Sequence, residues 1–228
     1  MPIVIFGGTF DPPHLGHRAA VEGLFRNPGV DRVVVLPAAN PPLKIPRTSA
    51  QDRLEMVRRT FQNMPDVEIN ELELERSRAQ PDQPQYSYDT MLALQGSYGG
   101  DIALVIGADQ LETLPSWSRF PEVLRVCHWI VLERKGHPEA LGRALQRLKE
   151  SGAIVLHGDR EWRIRGAPIG QGSPRRLTVA VTDAPMISST YIREALTKTG
   201  LPPADCLHPQ VAAYLKERKL YGSRVELT

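Results

Sequence analysis

Apolar runs, several of them continuous rather than alternating, recur along this chain, and they narrow its fold more than any other feature. The runs are Ile3–Phe6, Val30–Leu36, Ile102–Ile106, Trp129–Leu132, Ile154–Leu156 and Leu177–Val181. A strand wetted on one face alternates apolar and polar residues; a run that is apolar throughout expects cover on both faces. Between the runs lie segments with helical spacing of apolar residues: His17–Phe25, Ala50–Phe61, Tyr88–Gln95, Pro121–Val126 and Glu139–Glu150. Strand and helix in alternation predict an α/β architecture, a Rossmann-like, doubly wound parallel sheet. In such sheets ligands bind beyond the carboxyl ends of the strands. The 228 residues suit a single domain. Its core is expected over residues 1–186, followed by a small C-terminal helical part over 187–228. Arg76–Gln85, rich in Pro, Gln and charge, reads as a mobile loop. Asp159–Arg176 reads as an insertion, a hairpin or a flap.

Composition removes several classes of function. With 28 Lys and Arg against 26 Asp and Glu, bulk charge makes no case for nucleic acid or an anionic membrane. Cys127 and Cys206 form no Cys-x-x-Cys, which argues against a disulfide scaffold and a cysteine zinc site. No apolar stretch reaches the roughly 18 residues of a membrane helix. The chain enters its first strand without a basic, apolar leader, so a cytoplasmic protein is expected. His128, His137, His157 and His208 lack metal-ligand spacing and read as structural or exposed, so no metal ligands are assigned. Monomer and homo-oligomer stay open.

One segment stands apart. Gly7-Gly8-Thr9-Phe10-Asp11-Pro12-Pro13-His14-Leu15-Gly16-His17 joins the first apolar run to the first helix. His14 and His17, three residues apart, share a helix face. A helix start presents unpaired N–H groups and the positive end of the macrodipole. Two imidazoles added there suit a phosphate whose charge changes during reaction. Gly16 costs helix stability by about 1 kcal/mol against alanine, which is explained if a ligand must approach the backbone.

Other segments admit two readings each. Ile187-Ser188-Ser189-Thr190-Tyr191-Ile192-Arg193 opens a helix running to about Lys198. It is a plain capped helix, or an anion site using the three hydroxyls with Arg193 in or near the first turn, where the dipole disfavours a cation. After another central strand, Gly107 permits close backbone approach, and Asp109 caps the next helix or accepts from ribose hydroxyls. Trp117 is core or a stacking platform. Ser87 and Tyr88 stand at a helix start, which by itself reads as an ordinary capped end.

These segments together resemble the nucleotidyltransferase α/β phosphodiesterase superfamily, marked by His-x-Gly-His after the first strand. The longer Gly-Gly-Thr-Phe-Asp-Pro-Pro-His-x-Gly-His form is similar to that of the bacterial nicotinate-nucleotide adenylyltransferases. Ile-Ser-Ser-Thr-x-Ile-Arg, Gly-x-Asp-x-Leu…Leu-x-x-Trp and the C-terminal Val211–Tyr221 resemble the same family. The departures are Leu43, where histidine is usual, Ser87, where threonine is usual, and the extra Asp159–Arg176 region. The resemblance implies adenylyl transfer from ATP to nicotinate mononucleotide, giving nicotinate adenine dinucleotide and pyrophosphate. It implies His14 and His17 as catalytic, and Gly7, Gly8, Thr9, Phe10, Lys44, Ser188, Ser189, Thr190 and Arg193 around the ATP phosphates. Gly107 and Asp109 would meet ribose, and Ser87, Tyr88 and Trp117 the nicotinate ring. Mg²⁺ is expected on the ATP phosphates, since no carboxylate cluster offers to cage it. The rival expectations are a sister enzyme using nicotinamide mononucleotide or phosphopantetheine, and a non-catalytic nucleotide sensor on the same fold.

Overall fold

The computed structural model describes residues 2–134, 138–166 and 174–223. In chain order its elements are β1 (Ile3–Gly8), α1 (Leu15–Leu24), β2 (Val33–Pro37), α2 (Ala50–Phe61), β3 (Val67–Ile69), α3 (Leu72–Ala79) and α4 (Ser87–Tyr98). There follow β4 (Ile102–Gly107), α5 (Ala108–Thr113), α6 (Glu122–Val126), β5 (His128–Arg134), α7 (Pro138–Glu150), β6 (Ile154–Gly158), β7 (Glu161–Ile164), β8 (Arg176–Thr182), α8 (Ser189–Thr199) and α9 (Pro209–Arg218). The strand order is β3-β2-β1-β4-β5-β8-β7-β6. The chain forms two compact units, one of Met1–Gly7, Gly23–Val34 and Tyr86–Asp183, the other of Gly8–Glu22, Val35–Gln85 and Ala184–Thr228.

In the first unit β1, β4, β5 and β8 run parallel, with Ile5 opposite Leu104, Val105 opposite Ile130 and Val131 opposite Val179. Ile102, Ala103, Val105, Trp129 and Val131 are buried, as their unbroken apolar runs require. The sheet is mixed rather than wholly parallel: β7 pairs antiparallel with both β6 and β8. The reason is connection length. Only Asp159 and Arg160 separate β6 from β7, and a parallel return would need a crossover of a dozen residues or more. The insertion expected over Asp159–Arg176 therefore begins as a hairpin strand; residues 167–173 lie outside the described residues. Val155 and Leu156 are exposed, so this apolar run is not the buried strand its composition suggested.

In the second unit Met56 of α2 packs with Ile192 and Leu196 of α8, Val211 and Leu215 of α9, and Ile187, Cys206 and Leu207. Ser49 caps α2, its hydroxyl accepting from the Asp52 N–H at 3.0 Å. Asp52 in turn accepts from Tyr214 and Arg218 of α9, at 2.9 and 3.3 Å. Of the C-terminal helical part expected after 187, residues 224–228 lie outside the described residues.

Several boundaries and one loop differ from expectation. The second run forms a strand only from Val33, because the Val30 N–H turns back to Asn27 O. α1 starts at Leu15 rather than His17, since His14 O already accepts from the His17 and Arg18 N–H groups. Arg76–Gln85 is no free loop: its first residues end α3, and Asn40 Nδ2 donates to Pro81 O and Gln83 O at 3.2 and 3.0 Å.

Candidate active site

The Gly8–His17 turn is organised by the rings of Phe10, His14 and His17 and by close packing at its glycines. Phe10 has a left-handed backbone, φ 51°, and is buried. Its ring lies against Gly8, where a Cβ would stand 2.8 Å from Phe10 Cζ. The ring also meets His17 edge-on, with centroids 5.0 Å apart, and Phe61 at 6.5 Å. His14 and His17 stack, centroids 3.6 Å apart and planes 29° apart. The His14 N–H donates to His17 Nδ1 at 3.1 Å. That bond makes Nδ1 an acceptor, so the neutral His17 ring carries its proton on Nε2. Gly16 has a packing reason of its own: a Cβ there would lie 2.9 Å from His14 Nδ1 and 3.1 Å from Pro185 O.

The start of α8 is tied to the same turn. Ser188 is the N-cap, its hydroxyl accepting from the Tyr191 N–H at 3.1 Å. Ser189 Oγ donates to Pro12 O at 2.8 Å. Thr190 Oγ1 accepts from Arg193 Nη2 at 3.1 Å, while Arg193 Nη1 donates to Asp11 O at 2.6 Å. Each of the three consecutive hydroxyls thus has its own task within the protein. Arg193, the fifth residue of α8 and so just past its first turn, is held beside the Asp11 carboxylate at 4.0 Å.

Five further residues fix this turn, and none was given a role from the sequence. The buried Asp11 carboxylate accepts from the Arg47 N–H at 2.8 Å, Thr48 Oγ1 at 2.9 Å and Tyr221 Oη at 2.5 Å. Burial and the bond to Asp11 push the Tyr221 phenol up, so it stays a donor. Arg53 is 1% exposed. Its guanidinium donates to Thr9 O and Ala39 O at 2.8 Å each, and to Ala38 O. Burial lowers its pKa against the opposing pull of Asp11, Tyr221 and Glu73. Thr9 and the Ala38–Ala39 segment after β2 are therefore clamped by one side chain. Lys44 stands exposed on the loop that follows, between the exposed Leu43 and Ile45. Gly7 needs no glycine for packing, since a Cβ would find ordinary contact with Leu104 at 3.8 Å.

The remaining expected residues lie in the first unit. Gly107 ends β4 and is itself the N-cap of α5, its N–H donating to Gln110 Oε1 at 3.1 Å. Asp109 is therefore not the cap. It is exposed, and its Oδ1 lies against the place a Gly107 Cβ would take. Trp117 is half-buried, its ring 6.1 Å from the fully buried Trp129. The N-cap of α4 is Tyr86, so Ser87 is released from capping and stands in the first turn beside Tyr88. The Arg119 guanidinium sits over the Tyr88 ring, 3.8 Å from its centroid.

Chemically, the second unit brings together a helix start, two stacked imidazoles and an arginine around one turn, a setting for charge developing on phosphate. Among the described residues no group of three or more His, Cys, Asp or Glu is placed to hold a metal ion. None of the described helices is long and apolar enough to cross a membrane.

Residues 5–195 match the cytidylyltransferase-like family. Over 227 residues the chain is 33% identical to a probable nicotinate-nucleotide adenylyltransferase of Pseudomonas putida, covering 96% of this chain and 94% of that one. It is 34% identical over 220 residues to a probable nicotinate-nucleotide adenylyltransferase of Pectobacterium atrosepticum, covering 95% and 96%. In fold it is similar to the Plasmodium falciparum nicotinic acid mononucleotide adenylyltransferase complexed with NaAD. The TM-score is 0.72 with 18% identity over 99% of each chain.

Proposed function

The chain belongs to the nicotinate-nucleotide adenylyltransferase family, and from that premise we infer that it adenylylates nicotinate mononucleotide. A phosphate oxygen of the mononucleotide attacks the α-phosphorus of ATP, and the bond to the bridging oxygen of the β-phosphate breaks. The products are nicotinate adenine dinucleotide and pyrophosphate. The nucleophile is already anionic at neutral pH, so the protein has no proton to remove from it, and catalysis is positioning with charge stabilisation. The observation that carries this reading is the stacked His14–His17 pair, with His17 Nδ1 committed to the His14 N–H. An imidazole locked in this way offers Nε2–H as a donor to the α-phosphate as charge builds.

We assign the other roles on the same reading. His14 shares the α-phosphate with His17. Gly7 and Gly8 let it approach the backbone, and Phe10 braces the His17 ring. Thr9, Lys44, Ser188, Ser189, Thr190 and Arg193 hold the β- and γ-phosphates and steady the leaving pyrophosphate. Gly107 and Asp109 take ribose, and Ser87, Tyr88 and Trp117 take the pyridine ring. The nucleotide substrate is the magnesium complex of ATP, and the reaction is placed in the cytoplasm.

The test is a substrate panel. The purified protein is given magnesium, ATP and, in turn, nicotinate mononucleotide, nicotinamide mononucleotide and phosphopantetheine, and pyrophosphate release and nucleotide product are followed. Turnover is expected to be fastest with nicotinate mononucleotide, yielding its dinucleotide. Tight ATP binding without pyrophosphate release, or a clear preference for phosphopantetheine, would overturn the reading.

A further inference from the structure

The acid and amide mononucleotides differ at one point of the ring, a carboxylate against an uncharged carboxamide. A site that selects the acid therefore gains most from a positive charge at the pyridine end. Ser87, Tyr88 and Trp117 carry none. We propose that Arg119 is the residue that reads the pyridine carboxylate and sets the preference for acid over amide; this rests on the adenylyl-transfer reading above.

The placement of Arg119 supports this role. Its guanidinium lies 3.8 Å from the Tyr88 ring centroid, over the first turn of α4. A guanidinium seated on an aromatic face keeps its N–H edge for a carboxylate, which it matches in a two-pronged geometry. Arg119 is two residues beyond Trp117, so one short segment supplies both a ring and a charge. The backbone there is pinned rather than loose. Arg119 O accepts from the Val123 N–H at 2.9 Å, and Trp117 O accepts from the Phe120 N–H at 3.2 Å. The side chain is about half exposed, at 54%, so the cation is not consumed by the interior. Its ion-pair partner is Asp89, with Nη1 4.0 Å from Oδ1 and both groups half exposed. A pair of that length and exposure is weak, so an incoming carboxylate can displace it. Arginine also avoids what a neutral donor would do at this position, which is to bind acid and amide nearly alike.

The experiment measures kcat/KM for both mononucleotides with magnesium and ATP, in wild type, Arg119→Gln and Arg119→Lys. Arg119→Gln is expected to lower the acid value by about ten- to a hundredfold, mainly through KM, because one charge-assisted contact is lost. The amide value and the KM for ATP should stay near wild type. Arg119→Lys should recover part of the preference, keeping charge without the planar fork. In wild type, added salt should raise KM for the acid more than for the amide. An unchanged acid-to-amide ratio in Arg119→Gln, or an equal loss on both substrates, overturns the inference while leaving the adenylyl-transfer reading standing. A wild-type protein that turned over neither mononucleotide would overturn that reading and this inference together.

Discussion

His17 has given Nδ1 to the His14 N–H, so its usable proton is on Nε2. His17→Ala removes that donor and should lower kcat about a hundred- to a thousandfold, the effect of deleting one donor to developing charge. His17→Asn separates this from a folding effect, because the amide oxygen can still accept from the His14 N–H. Its kcat should stay low while its melting temperature returns towards wild type; recovery of activity would assign the residue to the turn alone. Gly16→Ala acts from the other side. Its Cβ meets His14 Nδ1 at 2.9 Å and the rigid Pro185 carbonyl at 3.1 Å. It should cost about 1–3 kcal/mol of stability, read from urea unfolding, and disturb the stacked pair. The histidines were legible in sequence because their partners are neighbours. Asp11 was not, although it accepts three hydrogen bonds. Its donors come from Arg47, Thr48 and, 210 residues away, Tyr221, and a single chain carries no mark of such a meeting.

Among the elements, α2 shows how a helix serves a site it does not contain. Arg53 reaches from it to the carbonyls of Thr9, Ala38 and Ala39, joining the turn after β1 to the segment after β2. Arg53→Met keeps volume and apolar stem but leaves three inward carbonyls without their donor. We expect a loss of about 3 kcal/mol or more, measured as a lower urea midpoint with unchanged slope, and a fall in kcat with the loosened Thr9 turn. Ser188→Ala is the gentler counterpart. In the fold it removes only the cap of α8, which should cost about 1 kcal/mol of stability. The major strands were legible from their unbroken apolar runs, as Ile102–Ile106 illustrates. β3 and α3 were not. β3 is three residues, all half-buried, and Leu72-Glu73-Leu74-Glu75-Arg76 in α3 has charges interleaved too closely to show a helical stripe. What holds α3 in place lies elsewhere in the chain: Glu73 accepts from the Ala39 N–H at 3.2 Å.

For the molecule as a whole, acid should be felt first through histidines that use a ring nitrogen as a backbone acceptor. His128, in the first unit, accepts the Arg176 N–H on Nδ1 at 3.2 Å and meets Asp101 through Nε2 at 3.0 Å. Burial lowers its pKa below the ordinary 6.5, with Arg175 and Arg176 adding to the effect and Asp101 opposing it. His208, in the second unit, caps α9 by accepting the Gln210 N–H on Nδ1 at 3.3 Å, and burial and Arg18 lower its pKa likewise. In both, a proton on Nδ1 would confront the N–H it now accepts. The sign follows. Above pH 6.5 both folded and unfolded chains are neutral at these positions and stability is full. As pH falls through that value the unfolded chain binds protons that the folded chain resists, so stability declines until the folded pKa is passed. Asp52 acts later: burial alone would raise its pKa, but bonds from Ser49, Tyr214 and Arg218 bring it below 3.8, so its contribution is lost only as pH falls past that range. Melting temperature should therefore be level well above pH 6.5 and fall as pH drops through that value. His128→Asn with His208→Ser keeps an acceptor at each site and removes both titrations, and should flatten that fall. A double variant with the wild-type slope would place the acid sensitivity outside these two rings.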